Sequence, residues 1–469
     1  MQNGSDNGFR RVLDARLVLS IVAAGIMSFS GVCVETAMNI TFPELMTEFG
    51  IDTSTVQWMT TAYLLVLAAI VPTSSFLNRR FPTKRIFAIA MLFYIAGIVT
   101  GFSAISFPML LLGRILEGIG TGIALPLMFN IITEQAPLDH MGVMMGIGTL
   151  VTAMAPAVGP SVGGWLAENF GWRAIFAALL PVLAAAFFLG IFSIRQSHEV
   201  VKEPFDVAGW IPLVISFGSL VFAIDGGGTK GWLAPQTLLL FVLFAVMLAL
   251  FVHHEKACER PLIHLSVFSS KQFDLGVLSL ICLQFCVLGL SFLLPNYAQL
   301  VMGAKQTEAG TTLLLGCFVG ACIAPFSGQL LDRLGARKPI VFGASSAFIS
   351  CVLFALLSDH MPTMEASIVY IFYALGQSSM VGNTMTVSLK ALPKETKADG
   401  NAVINTLQQL SGAVGTSVVT ALVNAAQIGA SDMALATMAG SRTAYALLAC
   451  IMIVPLLSMI WVTGHQAEA

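Results

Sequence analysis

The chain has 469 residues, of which 57% are hydrophobic and only 10% are charged, and its formal net charge is −2. Soluble domains carry about 25% charged residues, so this composition excludes a water-soluble fold of this length and indicates a chain that lies in a lipid bilayer. A net charge near zero gives no general attraction to nucleic acid, and we expect no nucleic-acid partner.

A membrane-spanning helix needs about 20 mainly apolar residues. The first apolar run is longer than a signal-peptide core and lacks a small-residue cleavage pattern, so we interpret it as a retained span. Fourteen runs fit this description, and we predict spans at residues 17–42, 56–77, 86–106, 109–133, 141–167, 174–194, 207–224, 238–253, 273–301, 310–331, 339–358, 366–389, 403–428 and 443–463.

The positions of Lys and Arg predict the orientation, because cytoplasmic loops carry an excess of both. With the N-terminus in the cytoplasm, 18 of the 23 basic residues fall in cytoplasmic segments and four in outer loops. The remaining one, Arg114, lies inside a span. We therefore predict a multi-pass protein of the bacterial cytoplasmic (inner) membrane with both termini in the cytoplasm.

Two short basic segments at corresponding positions indicate an internal duplication. Residues 75–85 read SFLNRRFPTKR and residues 328–338 read GQLLDRLGARK; the first lacks the aspartate and glycine of the second. Duplicated halves around a midplane site are typical of secondary transporters. We predict an N-terminal six-helix half (residues 1–195), a two-helix central insert with cytoplasmic linkers (196–270) and a C-terminal six-helix half (271–469).

The second of these segments resembles the cytoplasmic loop signature of the major facilitator superfamily, through Gly328, Asp332, Arg333, Gly335 and Arg337. Gly335 permits a tight turn between two helices. Asp332 at a helix end can pair with Arg333 or Arg337. Such a cluster could latch one conformation of a transporter, whereas the alternative is an ordinary basic loop.

The fifth span contains Gly159, Pro160, Gly163 and Gly164, which resemble the antiporter signature of drug:proton exchangers in the same superfamily. Gly159 and Gly163 form a small face that lets two helices approach closely, and Pro160 can hinge the helix. The resemblance implies export. The alternative is a set of ordinary packing glycines.

Two further spans extend the resemblance. Residues 111–122 read LLGRILEGIGTG and resemble the Arg-bearing fourth-helix motif of the family; they lack the Lys-Ser/Thr of a phosphate-binding loop. Residues 35–43 read ETAMNITFP and resemble the first span of the fourteen-span drug:proton antiporters, in the branch that includes lincomycin-type efflux proteins. The resemblance covers essentially the whole chain and implies an all-α membrane protein with the major facilitator fold and 14 transmembrane helices, arranged 6 + 2 + 6.

Three charged residues lie deep inside predicted spans: Glu35, Arg114 and Glu117. At 1.5 Å per residue they lie about 9–14 Å from the outer ends of spans one and four, which are neighbours in the fold that the resemblance implies. Buried charges are costly and usually functional, so we predict that Glu35 carries a proton and that Arg114 favours its ionised form. Glu117 is either a second proton site or the fixed partner of Arg114. The alternative is a structural Arg114–Glu117 pair with Glu35 hydrogen-bonded in a wet cavity.

Polar and aromatic residues interrupt several other spans. Pockets for lipophilic compounds are mainly apolar with a few polar groups, although each of these residues could instead join helices by hydrogen bonds. We predict a substrate cavity lined by Asn39, Trp58, Tyr63, Gln284, Phe285, Phe292, Tyr297, Tyr373, Gln377, Asn405 and Gln408.

The eight cysteines are scattered, mostly within apolar runs, and no pair has zinc-finger spacing with partner histidines. We therefore expect no metal site. His253 and His254 are adjacent, so on a helix they point apart. The sequence indicates no cluster of His, Cys and carboxylates at a membrane surface, and we therefore expect that the protein is not an enzyme.

These features predict a proton-coupled multidrug efflux transporter that works by alternating access, uses the proton gradient without a cofactor, and acts as a monomer. Its partners would be the lipid bilayer, a small amphipathic substrate and protons. One alternative is a dedicated exporter of a single metabolite or antibiotic. Another is a transporter-like membrane sensor or enzyme, although a sensor should carry an added soluble module.

Overall fold

The computed structural model describes residues 14–137, 141–196, 200, 204–258, 261–359, 361–393 and 396–466. Over these residues it contains α-helices and two short 3₁₀ helices (Val71–Thr73 and Leu265–Ser269), and no strand. The α-helices are α1 (Ala15–Ile40), α2 (Phe42–Phe49), α3 (Thr53–Val56), α4 (Trp58–Ile70), α5 (Ser74–Arg80), α6 (Thr83–Phe102), α7 (Phe107–Gln135), α8 (Met141–Phe170), α9 (Arg173–Ser193), α10 (Val207–Lys230), α11 (Pro235–Ala257), α12 (Lys271–Leu300), α13 (Gln306–Leu334), α14 (Arg337–Leu357), α15 (Thr363–Lys390), α16 (Lys397–Gln427) and α17 (Met433–Gln466).

Each predicted span falls on one of these helices, except that the second is divided among α3, α4, the first 3₁₀ helix and α5. Pro72 lies in that 3₁₀ helix, and because it has no N–H to donate, it interrupts the α-helical hydrogen bonds. The short helix α2, which the sequence did not predict, lies between α1 and α3.

Eleven helical segments of the described chain are long and apolar enough to cross a membrane. The helices α8, α15 and α16 are not among them, and the last two carry amide side chains such as Gln377 and Gln408. An all-helical fold with many membrane-capable helices is thus confirmed, whereas a count of fourteen crossings stays a prediction.

The long helices pack in two groups. The first group consists of α1, α4 and α6 to α9, and the second of α12 to α17; each helix contacts mainly members of its own group. The groups meet where α8 packs on α13 and α4 packs on α16, with a smaller contact between α1 and α12. The helices α10 and α11 lie between the two groups in sequence, and α10 packs on α11, α16 and α4. The division at residues 195 and 270 stays a prediction.

Many large apolar side chains face outward. Phe192 is 78% exposed, Leu239 is 67% exposed and Leu356 is 72% exposed. Isolated exposed apolar residues are ordinary on a soluble protein, but large exposed apolar areas mark contact with another apolar phase. The lipid chains of a bilayer would cover these faces.

Candidate functional site

Three buried charges meet where α1, α4, α6 and α7 converge. Arg114 and Glu117 on α7 are fully buried, and Glu35 on α1 is 4% exposed. Arg114 and Glu117 stand one helical turn apart, so their side chains lie on the same face of α7. The arrangement brings together the three residues that the sequence predicted for proton coupling.

Arg114 is held from three sides. Its Nη1 forms an ion pair with Oε2 of Glu117, and its Nε donates to the carbonyl oxygen of Met59 over 3.3 Å. Its Cζ lies 4.4 Å from the centroid of the Tyr63 ring, which is a favourable position for a cation over an aromatic face. These contacts fix the plane of the guanidinium between α4 and α7.

Several polar atoms of this cluster are buried without a hydrogen-bond partner: Arg114 Nη2, Glu117 Oε1 and the hydroxyl of Tyr94. Leaving a buried polar group unpaired costs about 1–3 kcal/mol, and more when the group is charged. Such groups are uncommon in native proteins. The cluster therefore has free donors and acceptors that could receive a proton or a polar group.

Glu35 lies within electrostatic reach of Arg114, but within the described residues the ion pair of Arg114 is formed with Glu117. The positive charge of Arg114 therefore acts on the Glu35 carboxyl through space, without a direct ion pair between them. A small movement of α1 relative to α7 would therefore change whether Glu35 favours its ionised or its neutral form.

Two glycines make room for the cluster. A methyl group at Gly97 on α6 would lie 2.6 Å from Glu117 Cγ and 2.7 Å from the backbone oxygen of Gly113. A methyl group at Gly31 on α1 would overlap the side chain of Thr121 on α7. The close approach of α1 and α6 to α7 therefore depends on the absence of side chains at these positions.

The glycines of the predicted antiporter signature pack against α1 next to Glu35. A methyl group at Gly159 would overlap Thr36, and one at Gly163 would lie 2.5 Å from Cβ of Ala37. Gly164 faces the second group instead, since a methyl group there would lie 2.5 Å from the carbonyl oxygen of Gln306. Pro160 lies inside α8, between these contacts.

Polar contacts join the two helix groups at the side that the basic residues predict to be extracellular. Thr53 Oγ1 donates to Gln427 Oε1 over 2.8 Å, and Gln299 Nε2 donates to the carbonyl oxygen of Ile40 over 2.9 Å. The N–H of Thr307 donates to Glu168 over 3.1 Å. These contacts close the outer ends of the groups against each other.

The residues predicted for the substrate cavity fall into two sets. Several are occupied in helix contacts: Asn39 accepts from Thr60 over 2.6 Å, the Tyr297 hydroxyl donates to Ser358 over 2.6 Å, and the Tyr373 hydroxyl donates to Leu283 over 3.0 Å. Tyr63 contacts Arg114, and Phe292 is buried near Phe42. Trp58 is partly exposed, and its ring lies tilted against Phe222 of α10 with the ring centroids 4.6 Å apart. The other set, also partly exposed, is Gln284, Phe285, Gln377, Asn405 and Gln408.

A groove of about 530 Å³ between α13 and α15 contains none of these residues and is lined by residues such as Glu308, Leu314, Phe318 and Met364. It lies at the N-terminal ends of the two helices, and none of the three charged residues of the cluster lines it.

The loop signature lies between α13 and α14. Gly335 has φ of +76° and ends α13, a conformation that strongly favours glycine. Arg333 and Arg337 are exposed on either side of it, and Gly328 lies about two turns earlier in α13. The side chain of Asp332 lies outside the described part of the chain, so its predicted pairing stays a prediction.

Sequence reasoning missed Tyr94, Gly97, Thr121 and Gly31 as members of the cluster. Tyr94 interrupts the apolar third span and was the one visible signal. A glycine in a membrane helix is too common to be assigned a partner without the fold.

The fold and the buried charge cluster define a multi-pass membrane transporter. Residues 24–416 match the Major Facilitator Superfamily, and the chain belongs to that family.

Its relatives include proteins named for resistance to lincomycin and to multiple drugs. The chain is 34% identical over 458 residues to the lincomycin resistance protein LmrB of Listeria monocytogenes, covering 95% of this chain and 96% of the relative. It is 25% identical over 413 residues to a multidrug resistance protein B homolog of Mycobacterium tuberculosis, covering 85% of this chain and 76% of the relative. The resemblance predicted from the sequence is confirmed.

Solved structures share the fold. A POT family transporter in complex with 5-aminolevulinic acid has a TM-score of 0.71 at 14% identity and covers 96% of both chains. A bacterial homolog of the human lysosomal transporter Spinster has a TM-score of 0.68 at 14% identity, covering 96% of this chain and 98% of its own. The family and these neighbours are transporters, so the expectation that this chain is not an enzyme is confirmed.

Proposed function

We propose that this protein exports amphipathic compounds in exchange for protons across the bacterial cytoplasmic membrane. The observation that carries the proposal is the buried cluster of Glu35, Arg114 and Glu117, because charges this deep in a membrane protein are costly and mark ion or proton pathways. The relatives named for lincomycin and multidrug resistance support drug-like substrates. The proton gradient supplies the energy, and no cofactor is required.

In this scheme Glu35 carries the proton and Glu117 holds Arg114 in place. When α1 moves so that Glu35 approaches Arg114, the positive charge favours the carboxylate and the proton leaves toward the cytoplasm. When Glu35 withdraws from Arg114, burial favours the neutral carboxyl, which takes up a proton from outside. Substrate release outward accompanies the second state.

Alternating access requires that the two helix groups separate at one side and close at the other. The contacts Thr53–Gln427 and Gln299–Ile40 at the predicted outer side support a state that is closed to the outside. Opening outward would break them and separate α8 from α13. The partly exposed residues Gln284, Gln377 and Gln408 are the proposed polar contacts of the substrate.

The same proposal includes fourteen crossings, both termini in the cytoplasm and a single chain as the working unit. Single cysteines placed in a cysteine-free background would test the topology. A thiol reagent that does not cross membranes should label a cysteine at residue 305 in intact cells, and should label one at residue 338 only in inverted vesicles. The reverse pattern would contradict the orientation.

Transport into inverted membrane vesicles tests the function. We would impose a pH gradient and measure uptake of cationic, neutral and anionic dyes and of lincomycin, with vesicles lacking the protein as the control. At least one compound should accumulate only with the gradient, and a protonophore should abolish the accumulation. The proposal fails if none of these compounds moves with the gradient and one metabolite moves without it.

A further inference from the structure

A second cluster of ionisable side chains lies where α10 begins and α11 ends, far along the chain from the buried charges of α1 and α7. Asp206, His254 and Cys258 each place one possible metal-ligand atom there, and these three atoms lie within 4.8 Å of one another. All three residues are partly buried. The cluster combines oxygen, nitrogen and sulfur donors.

The local sequence explains how the donors converge. Residues 254–258 read HEKAC. His254 lies in the last turn of α11, and Cys258, the residue that follows the helix, donates its N–H to the carbonyl oxygen of His254 over 2.9 Å, so the two residues lie at the same end of the helix, four positions apart. Paired ligands four residues apart on a helix are a known zinc-binding arrangement. Asp206 caps α10 by accepting from the N–H of Gly209 over 3.0 Å, and both of its carboxylate oxygens lie 3.0–3.1 Å from Nε2 of His254.

An independent observation points to a missing partner at this place. Glu255 is only 4% exposed; its Oε2 accepts from the N–H of Ile263 over 2.9 Å, whereas its Oε1 is buried without a hydrogen-bond partner. A methyl group at Gly209 would meet both Glu255 Oε1, at 2.6 Å, and Oδ2 of Asp206. The unpartnered oxygen therefore lies beside the Asp206 carboxylate.

Two carboxylates this close in a partly buried place repel each other unless a cation compensates them. His254 can compensate one of them when it is protonated, but its ring faces Asp206 and leaves Glu255 Oε1 unpaired. A divalent cation between the two carboxylates, the imidazole and the thiolate would satisfy every one of these groups.

We propose that Asp206, His254, Glu255 and Cys258 bind one Zn²⁺ ion that joins the start of α10 to the end of α11. Four donors of mixed nitrogen, sulfur and oxygen type suit tetrahedral zinc, whereas calcium and magnesium take oxygen ligands. Zinc–ligand distances of about 2.0–2.3 Å place tetrahedral ligand atoms roughly 3.3–3.8 Å apart, so the donors of Asp206, His254 and Cys258, which lie within 4.8 Å of one another, need only a small inward movement. Glu255 would supply the fourth ligand by turning its unpartnered Oε1, which lies on the Asp206 side, toward the ion.

The ion would stabilise more than two helix ends. Glu255 also holds Ile263 of the linker that follows α11, and the next residue, His264, contacts Asp399 of α16 at 2.7 Å. Zinc would thus fix the linker and, through it, the position of the α10–α11 pair against the second helix group. This role is independent of proton coupling and of the identity of the exported compound.

The test is zinc binding by the full-length protein, purified in detergent and freed of metal with a chelator. We expect one Zn²⁺ per chain, and at least about tenfold weaker binding for Cys258→Ser, His254→Ala and Glu255→Gln. His253→Ala and Cys450→Ser are matched controls, because both residues are exposed and neither belongs to the cluster. Both variants should bind zinc like the unaltered protein. The proposal would be overturned if the unaltered protein showed no saturable zinc binding, or if the Cys258→Ser and His254→Ala variants bound zinc as tightly as the unaltered protein.

Two readouts on the unaltered chain keep the test decisive if a variant fails to fold. Co²⁺ in place of Zn²⁺ should give a thiolate-to-cobalt absorption band, since the thiolate is a ligand. Zn²⁺ should also protect Cys258 from alkylation, as read by mass spectrometry, while leaving Cys450 unprotected. Alkylation of Cys258 at the same rate with and without zinc would show that the His254–Asp206 contact is only an ion pair.

Discussion

The side chain of Glu117 on α7 occupies the space that the absent side chain of Gly97 leaves on α6. A methyl group at Gly97 would lie 2.6 Å from Glu117 Cγ, so Gly97→Ala should push Glu117 away from Arg114. Overpacking of this kind costs about 1–3 kcal/mol, and we expect a lower unfolding temperature and at least a tenfold loss of gradient-driven transport. Gly218→Ala on α10 is the control, because nothing lies within 4 Å of a methyl group there. Equal behaviour of the two variants would contradict this packing.

The ring of Tyr63 should matter to Arg114 more than its hydroxyl does. The guanidinium carbon lies 4.4 Å from the ring centroid, and a desolvated cation over an aromatic ring gains about 2 kcal/mol. Tyr63→Phe should therefore keep most of the thermal stability and transport, and Tyr63→Leu should lose both. The measurement is the unfolding temperature in detergent together with uptake into inverted vesicles. If the Phe variant is as impaired as the Leu variant, the hydroxyl and not the ring face supports Arg114.

Closure at the predicted outer side depends on the contact of α13 with α8. A methyl group at Gly310 would overlap the carbonyl oxygen of Pro160, so Gly310→Ala should hold the two helix groups apart at this end. We expect faster labelling of a cysteine introduced at Thr53, whose hydroxyl is bonded to Gln427 in the closed state. Gly382→Ala, where a methyl group meets nothing within 4 Å, should leave the labelling rate unchanged. An unchanged rate in the Gly310 variant would show that this contact does not control closure.

An acid on α2, at the side that the basic residues predict to be extracellular, should make stability depend on pH. Partial burial acts to raise the pKa of Glu48, but hydrogen bonds from Trp172 and Arg173 outweigh it and hold the pKa below 4.5. A lowered pKa in the folded state stabilises the protein above the unfolded pKa, and this stabilisation disappears as the pH falls through the folded pKa.

Glu48→Gln should therefore lower the unfolding temperature at pH 7, and the difference from the unaltered protein should shrink as the pH falls below about 4.3, the pKa of an unperturbed Glu, and vanish below the lowered folded-state pKa. The exposed Glu365 provides the control, since Glu365→Gln should change little at either pH. If the difference in unfolding temperature persists unchanged in acid, the Glu48→Gln substitution acts through its shape and not through the loss of charge.

Much of the helical framework is predictable, because an apolar run of about 20 residues in a bilayer has few alternatives to a helix. The pairing of Arg114 with Glu117 follows from their spacing on one helix. The position of Glu35 near both required the packing of α1 on α7, which the sequence provided only through the family resemblance.

Other features depend on contacts between distant parts of the chain. Trp58 interrupts an apolar helix, and its place in the substrate cavity stays a prediction; its ring contact with Phe222 arises because α10 packs on α4 at this place. His254 and Cys258 lie four positions apart at one end of α11, yet the carboxylate that completes the cluster, Asp206, is 48 residues earlier. Sequence spacing alone therefore favoured the absence of a metal site.

The central claim is that Glu35 carries the transported proton, and substitution of this one acid tests it most directly. Glu35→Gln keeps the shape and hydrogen-bonding capacity of the side chain but cannot ionise. In proteoliposomes with an imposed pH gradient, we expect this variant to insert and fold normally and to lose gradient-driven substrate movement and substrate-induced proton flux, while Glu365→Gln retains both. Undiminished gradient-driven efflux by a folded Glu35→Gln protein would contradict the account.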